Sequence, residues 1–199
     1  MQKETIFKKL KKFPVLETDR LILRKMKVSD YADMYEYAKR DDVTKYLLWR
    51  SHPDARYTRD YLGYVQSQYR AGEFFDWAVI HRDSNKMIGT CGFAKLDYEN
   101  NSAEIGYVIN PAFWRRGYAT EAVQRVVEYG FTELNLHRLE ARYIVGNEVS
   151  RRVMEKCGMV FEGIHRSSLF VKGEYVSVGY CAMTGNDYIE AKYKHVNVI

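Results

Sequence analysis

The stretch Glu104–Ala122, EIGYVINPAFWRRGYATEA, decides how this chain of 199 residues folds. It reads as a strand that runs into a loop with two arginines and a glycine, and then into a helix. The start of a helix leaves backbone N–H groups without intrahelical acceptors and carries a partial positive charge. Small residues at Gly117 and Ala119 let an anion approach that backbone closely, and Arg115 and Arg116 add charge. A phosphate or pyrophosphate is the natural guest. The stretch has neither the Gly-x-Gly-x-x-Gly dinucleotide fingerprint nor the Lys-Ser/Thr ending of a nucleotide-triphosphate loop. An anion is favoured; ATP and NAD are not.

Downstream, the helix from Tyr118 to Leu134 carries the stripe Ala119, Ala122, Val123, Val126, Val127, Gly130, Phe131, Leu134, an unbroken three-four alternation. Leu139–Val145 reads as a strand. Asn147 caps a helix over Glu148–Cys157, which Gly158 ends. Strands over Val160–Ser167 and Tyr175–Met183 follow. Upstream, Phe75–Arg82, Met87–Leu96 and Ala103–Ile109 are strand-like and joined by short polar turns, so they pair as antiparallel hairpins. Before them come a strand within Arg20–Met26, a helix from Ser29 to Lys39, and a helix from His52-Pro53-Asp54 to Tyr69 closed by Gly72. Lys3–Lys12 places Ile6, Phe7 and Leu10 at helical spacing until Pro14, a short basic helix that packs on its own domain. The expectation is a mixed α/β (α+β) fold: a mixed central sheet of about seven strands with about four helices. One domain over 13–184 lies between a basic extension, 1–12, and a tail, 185–199.

The composition, 46% apolar and 29% charged, is that of an ordinary globular protein and excludes a disordered chain. The net charge of +5 suggests an anionic partner until it is divided along the chain. Lys3, Lys8, Lys9, Lys11 and Lys12 against Glu4 put +4 into the first twelve residues, leaving a nearly neutral body. No apolar run reaches membrane-spanning length, and no signal peptide is legible. Cys91, Cys157 and Cys181 are far apart, without disulfide or zinc spacing, and read as buried thiols. A cytoplasmic protein without membrane contact or metal is expected. His52, His81, His137, His165 and His195 show no ligand or triad spacing, and His137 reads as structural.

Three blocks resemble the GNAT acetyltransferase superfamily, specifically its RimJ/RimL-type enzymes that acetylate ribosomal-protein N-termini. They are Ala103–Ile109 (AEIGYVI), Trp114–Ala122 (WRRGYATEA), and Asn147–Val153 (NEVSRRV) leading to Glu155–Met159 (EKCGM). Leu16–Arg24 (LETDRLILR) and Phe161-Glu162-Gly163 are similar to that subgroup as well. Trp114 stands where the superfamily usually has Gln or Arg, and Arg115 where Gly is common.

The resemblance implies a GNAT fold and acetyl-CoA as co-substrate, lying in a splay between the strands Glu104–Ile109 and Leu139–Val145. Its pantetheine would pair with the backbone of Tyr107, Val108 and Ile109. Its pyrophosphate would sit on Arg116, Gly117, Tyr118, Ala119 and Thr120 with Arg115 beside it, and Asn147 would reach the pantetheine. The reaction would be direct attack of an amine on the thioester in a ternary complex, through a tetrahedral oxyanion. Glu104 would take the amine's proton, with Glu162 as second choice, and Ser150 would protonate the departing thiolate. Tyr46, Trp49, Tyr57, Tyr61 and Tyr64 flank a region that in the family borders the acceptor cleft, although core packing is the commoner use of such rings. The expected acceptor is the N-terminal α-amine of a ribosomal protein. Alternatives are a small amine (polyamine, amino acid or drug), or a non-catalytic CoA- or RNA-binding module. The basic tail offers ribosome association, and the protein is expected to be a monomer or homodimer.

Overall fold

Nearly continuous burial along Phe75–His81, and burial that alternates over the first half of Ser102–Ile109, mark central strands covered on both faces. The computed structural model describes residues 2–196. The side chains of residues 2, 3, 5, 7 and 193–196 lie outside that description, and with them the readings of Lys3, Phe7 and His195, as do residues 1 and 197–199. Among the described residues there are eight strands: β1 (Leu16–Glu17), β2 (Leu21–Arg24), β3 (Phe75–His81), β4 (Lys86–Asp97), β5 (Ser102–Ile109), β6 (Arg138–Ile144), β7 (Val160–Val171) and β8 (Glu174–Thr184). They form one mixed sheet in the order β1-β2-β3-β4-β5-β6-β8-β7, in which only β5 and β6 run parallel. The α-helices are α1 (Gln2–Lys12), α2 (Tyr31–Ala38), α3 (Asp41–Thr44), α4 (Ala55–Ala71), α5 (Tyr118–Thr132), α6 (Glu148–Lys156) and α7 (Gly185–Val196).

This is the GNAT fold, with one strand and three helices more than the sequence pattern counted. The additions are short or terminal. β1 has two residues and α3 a single turn, too little for a period to be read. The N-terminal helix packs on the domain as its apolar spacing led one to expect, and the segment after 184 carries a helix that packs there too. Ile6 and Leu10 of α1 are fully buried, and Tyr188 of α7 stacks on Phe131 at 5.1 Å. At α4 the local signals act as read: Asp54 caps it by accepting from Tyr57 N at 2.7 Å, and Gly72 ends it in a left-handed turn. Ser29, expected to cap the helix that runs to Lys39, instead lies in a 3-10 turn ahead of α2.

Two helical layers sandwich the sheet. α5 buries Ala122, Val123, Val126, Val127 and Phe131, and its Tyr129 ring meets Trp77 of β3 at 5.8 Å. Gly130 allows this approach, since a methyl there would come within 2.9 Å of Leu139 Cδ1. α2 and α4 cover the other face. Cys91, Cys157 and Cys181 are buried and unpaired with one another. No described helix is long and apolar enough to cross a membrane.

Candidate active site

β5 and β6 pair only over Ser102–Glu104 and Arg138–Glu140. Beyond Glu104 each strand keeps its outer neighbour, β5 with β4 as far as Ile109↔Gly89 and β6 with β8 as far as Ile144↔Val178. The sheet therefore splits between two intact strands. Asn110 N donates to Ile88 O at 2.7 Å, so by the two-residue alternation the backbone of Val108 also faces β4. Tyr107 and Ile109 present theirs to the gap, while Val108, expected to share in pairing there, is turned away. The carbonyl of Ile109 already accepts from the Trp114 indole at 2.6 Å.

At the mouth of the gap the chain reaches α5 through two left-handed residues, Arg115 (φ 61°) and Gly117 (φ 83°). Gly117 has no side chain with which to cap the helix, so the N–H groups of Tyr118, Ala119 and Thr120 have no intrahelical acceptor. Arg115 and Arg116 are exposed beside them. The loop is tied down by Arg20, which the sequence reading quoted without assigning it a role. Its guanidinium donates to Arg116 O at 3.0 Å, pairs with Glu121 at 2.5 Å, and lies 4.5 Å over the Tyr118 ring. Thr18 Oγ1 donates to the same Glu121 carboxylate at 2.6 Å. Burial alone would raise Glu121; the bonds from Thr18 and Arg20 outweigh it and hold the carboxyl below its ordinary range.

Side chains bridge the gap. Tyr107 Oη lies 2.8 Å from Ser150 Oγ and donates to Ser150 O at 2.9 Å, joining β5 to α6. Asn147 Oδ1 caps α6 by accepting from Ser150 N at 3.3 Å. Burial pushes the Tyr107 hydroxyl well above the usual phenol range, so it stays protonated. Glu104, where the strands part, is 13% exposed and pairs with Arg142 Nε at 2.7 Å. Burial nevertheless outweighs the guanidinium, and the carboxyl lies above its usual range. Glu162 is different. It sits on the edge strand β7, with β8 between it and β6. A bidentate pair with Arg138, at 2.8 and 2.5 Å, holds it below the ordinary range. Of the two carboxylates only Glu104 stands at the split.

Asp76 went unread in the sequence, although a single acid between Phe75 and Trp77 in an apolar strand is a visible signal. It lies on the face opposite α5, in a pocket of about 280 Å³ with Tyr61, Phe74, Gly92 and Gly106. Of the aromatics flanking the early helices, Tyr61 lines this pocket and Tyr46 reaches across to Gly146, before Asn147, with its hydroxyl 3.3 Å from where a Cβ would stand. Trp49, Tyr57 and Tyr61 ring the buried His52 at 4.8 to 5.6 Å. No group of three or more potential metal ligands occurs among the described residues.

A sheet split between parallel strands, with an uncapped helix start at its mouth and a half-buried carboxylate at its apex, is the frame of a coenzyme A-dependent acyltransferase. The Acetyltransferase (GNAT) domain family matches residues 20–160, and the chain belongs to that family as an acetyl-CoA-dependent N-acetyltransferase. The N-acetyltransferase p20 of Bacillus licheniformis is 34% identical over 173 residues, covering 87% of this chain and 97% of that one. The crystal structure of a GNAT-family acetyltransferase from Bacillus anthracis superposes with a TM-score of 0.78 at 31% identity, covering 87% of this chain and 99% of that one. The ribosomal-protein-S5-alanine acetyltransferase of Vibrio fischeri shares the fold, with a TM-score of 0.74 at 23% identity over 88% of this chain and 98% of its own.

Proposed function

We propose that this N-acetyltransferase acts on the N-terminal α-amine of a protein, a ribosomal protein being the expected class. The observation that carries the reading is the exposed apolar surface of α4 and the segment before it. Tyr57 and Tyr64 of α4 and Leu48 are more than half exposed, on the helical layer whose Tyr61 lines the pocket with Asp76, and such a surface suits the end of a polypeptide. The RimJ/RimL-like Asn147-x-x-Ser150 pattern and the fold shared with the ribosomal-protein enzyme of Vibrio fischeri support it.

The residues divide the work. The backbone edge left at Tyr107 and at the Ile109 N–H suits the amides of a pantetheine arm, and the uncapped N–H groups of Tyr118, Ala119 and Thr120, with Arg115 and Arg116, suit a pyrophosphate. Acetyl-CoA, when bound, supplies the activated acetyl group. Glu104 takes the proton of the incoming ammonium, and burial, by raising its carboxyl above the usual range, makes it a stronger base than a solvated glutamate. Ser150, hydrogen-bonded to the protonated Tyr107, relays to the departing thiolate the second proton that the nitrogen loses as the amide forms, so amide and free thiol are the net products and Ser150 keeps its own proton.

A second reading, a small amine as acceptor, draws on the 280 Å³ pocket, which is just below the usual range for small-ligand sites. Thiol release with peptides beginning Ala, Ser or Thr, against a panel of small amines, tests both. Turnover of the peptides at a kcat/KM at least tenfold above every small amine supports the first reading. The reverse order overturns it.

A further inference from the structure

Asp76, Gly92 and Gly106 stand in one row, Cα opposite Cα across β3, β4 and β5. Directly opposed residues point to the same face, so two adjacent glycines leave the sheet bare from Asp76 to β5, two strand spacings or about 10 Å. Glu104 lies on that face as well, two residues before Gly106 on the same strand. The trough along this row is the 280 Å³ pocket, lined by Asp76, Gly92 and Gly106, with Glu104 beyond its lining. Its floor cannot be filled at Gly92, where a methyl would meet Phe75 O at 2.3 Å and Asp76 Cα at 2.4 Å. Glu73 joins Asp76 in the wall, Tyr61 and Phe74 contribute rings, and no Lys, Arg or His lines the pocket.

The sign of the site is therefore negative, and one of its acceptors is unused: Asp76 Oδ1 is buried and receives no hydrogen bond. A buried carboxylate oxygen without a donor is costly, and a cation between aromatic rings satisfies it on every side. We propose that Asp76 is a positioning residue that holds a second cationic group of the acceptor, about 12 Å across the sheet from the amine presented to Glu104. The chemistry is an ammonium or guanidinium on a short arm. A basic side chain following the N-terminal residue of a peptide provides it, and so does a free diamine. The inference rests on the reading of Glu104 as the place where the amine reacts.

The test compares Ala-Lys, Ala-norleucine and Ala-Glu peptides, and α,ω-diaminoalkanes with n-alkylamines of equal length, by thiol release. The expected result is a preference for the cationic member of at least tenfold in kcat/KM, carried by KM. Asp76→Asn reduces it below twofold. Which pair shows the preference identifies the source of the cation. Equal rates for charged and neutral acceptors, as a site holding only water would give, overturn the proposal, and so does a preference that survives Asp76→Asn. Gly106→Ala, whose methyl meets only Ala94 Cβ at 3.4 Å, provides a second variant should the first fail to fold, with the same loss of preference expected. If no amine releases thiol, the assignment of the reaction site fails instead. Calorimetry of 1,4-diaminobutane binding to the CoA-saturated protein then decides: binding lost in Gly106→Ala or Asp76→Asn supports the anchor, and no binding to the wild type ends it.

Discussion

The gap between β5 and β6 and the trough beside Asp76 are neighbours on one sheet, built from different materials. The gap is backbone: two strand edges that part after Glu104 and a helix start left uncapped by Gly117. Such a site follows from where strands and helices begin and end, so many side-chain changes leave it intact. The trough is side chains and their absence: an acid, two glycines and two rings from β3, α4, β4, β5 and the turn before β3. One substitution can redraw it. The contrast fits an enzyme with a constant donor and an acceptor that varies among relatives.

The sharpest way to break that contrast is at the carboxylate of the split, which lies on the trough's face of the sheet. Glu104→Gln should lower kcat by roughly 10² to 10⁴, the range of a positioned general base, while acetyl-CoA affinity from calorimetry stays within about twofold. Turnover near the wild-type rate would remove Glu104 from the mechanism. Ser150→Ala comes next, with kcat down about tenfold and the KM for acetyl-CoA little moved, because Tyr107 still carries a proton beside the gap. A wild-type kcat would make the serine a strut of α6 and no more. Arg20→Ala probes the mouth. It should raise the KM for acetyl-CoA several-fold with kcat nearly constant, since it releases the Arg116 carbonyl and Glu121 without touching the trough. A change confined to kcat would show the loop to be held by something else.

The smallest effect belongs to Asp76 and is thermodynamic. Burial, only partly offset by the Thr90 hydroxyl and the Trp77 N–H, pushes its carboxyl up to about 7. An unfolded chain holds it near the ordinary value of about 4. Between those limits the folded protein binds the proton more tightly, so the stabilisation is complete below the lower value and fades as pH rises through the upper one. The Tm of the wild type relative to Asp76→Asn should accordingly fall between pH 4.5 and 7.5 in the absence of ligands. A difference independent of pH would mean the carboxyl titrates normally.

The gap was legible in the sequence because its parts are contiguous. Tyr107 and Ile109, the loop with Arg115 and Arg116, and the helix beginning at Tyr118 follow one another in the chain, and each declares itself by alternation, glycine or period. Asn147 and Ser150 were found for the same reason, being one helical turn apart. What escaped were pairings across the fold. Nothing near Tyr107 tells that its hydroxyl meets Ser150, 43 residues on. Nothing near Arg20 tells that it grips the loop 96 residues away. Glu104 and Glu162 looked equivalent as acids. Only their places in the sheet separated them, Glu104 at the split with Arg142 and Glu162 on the edge strand with Arg138.

By itself, then, the sequence determined the elements, their order and the anion-binding helix start, because hydrophobic period, caps and turns act over a few residues. The tertiary structure alone decided which carboxylate stands at the split and that Asp76, Gly92 and Gly106 form one row. Strand register sets those neighbours, and register is fixed by the packing of both faces of the whole sheet.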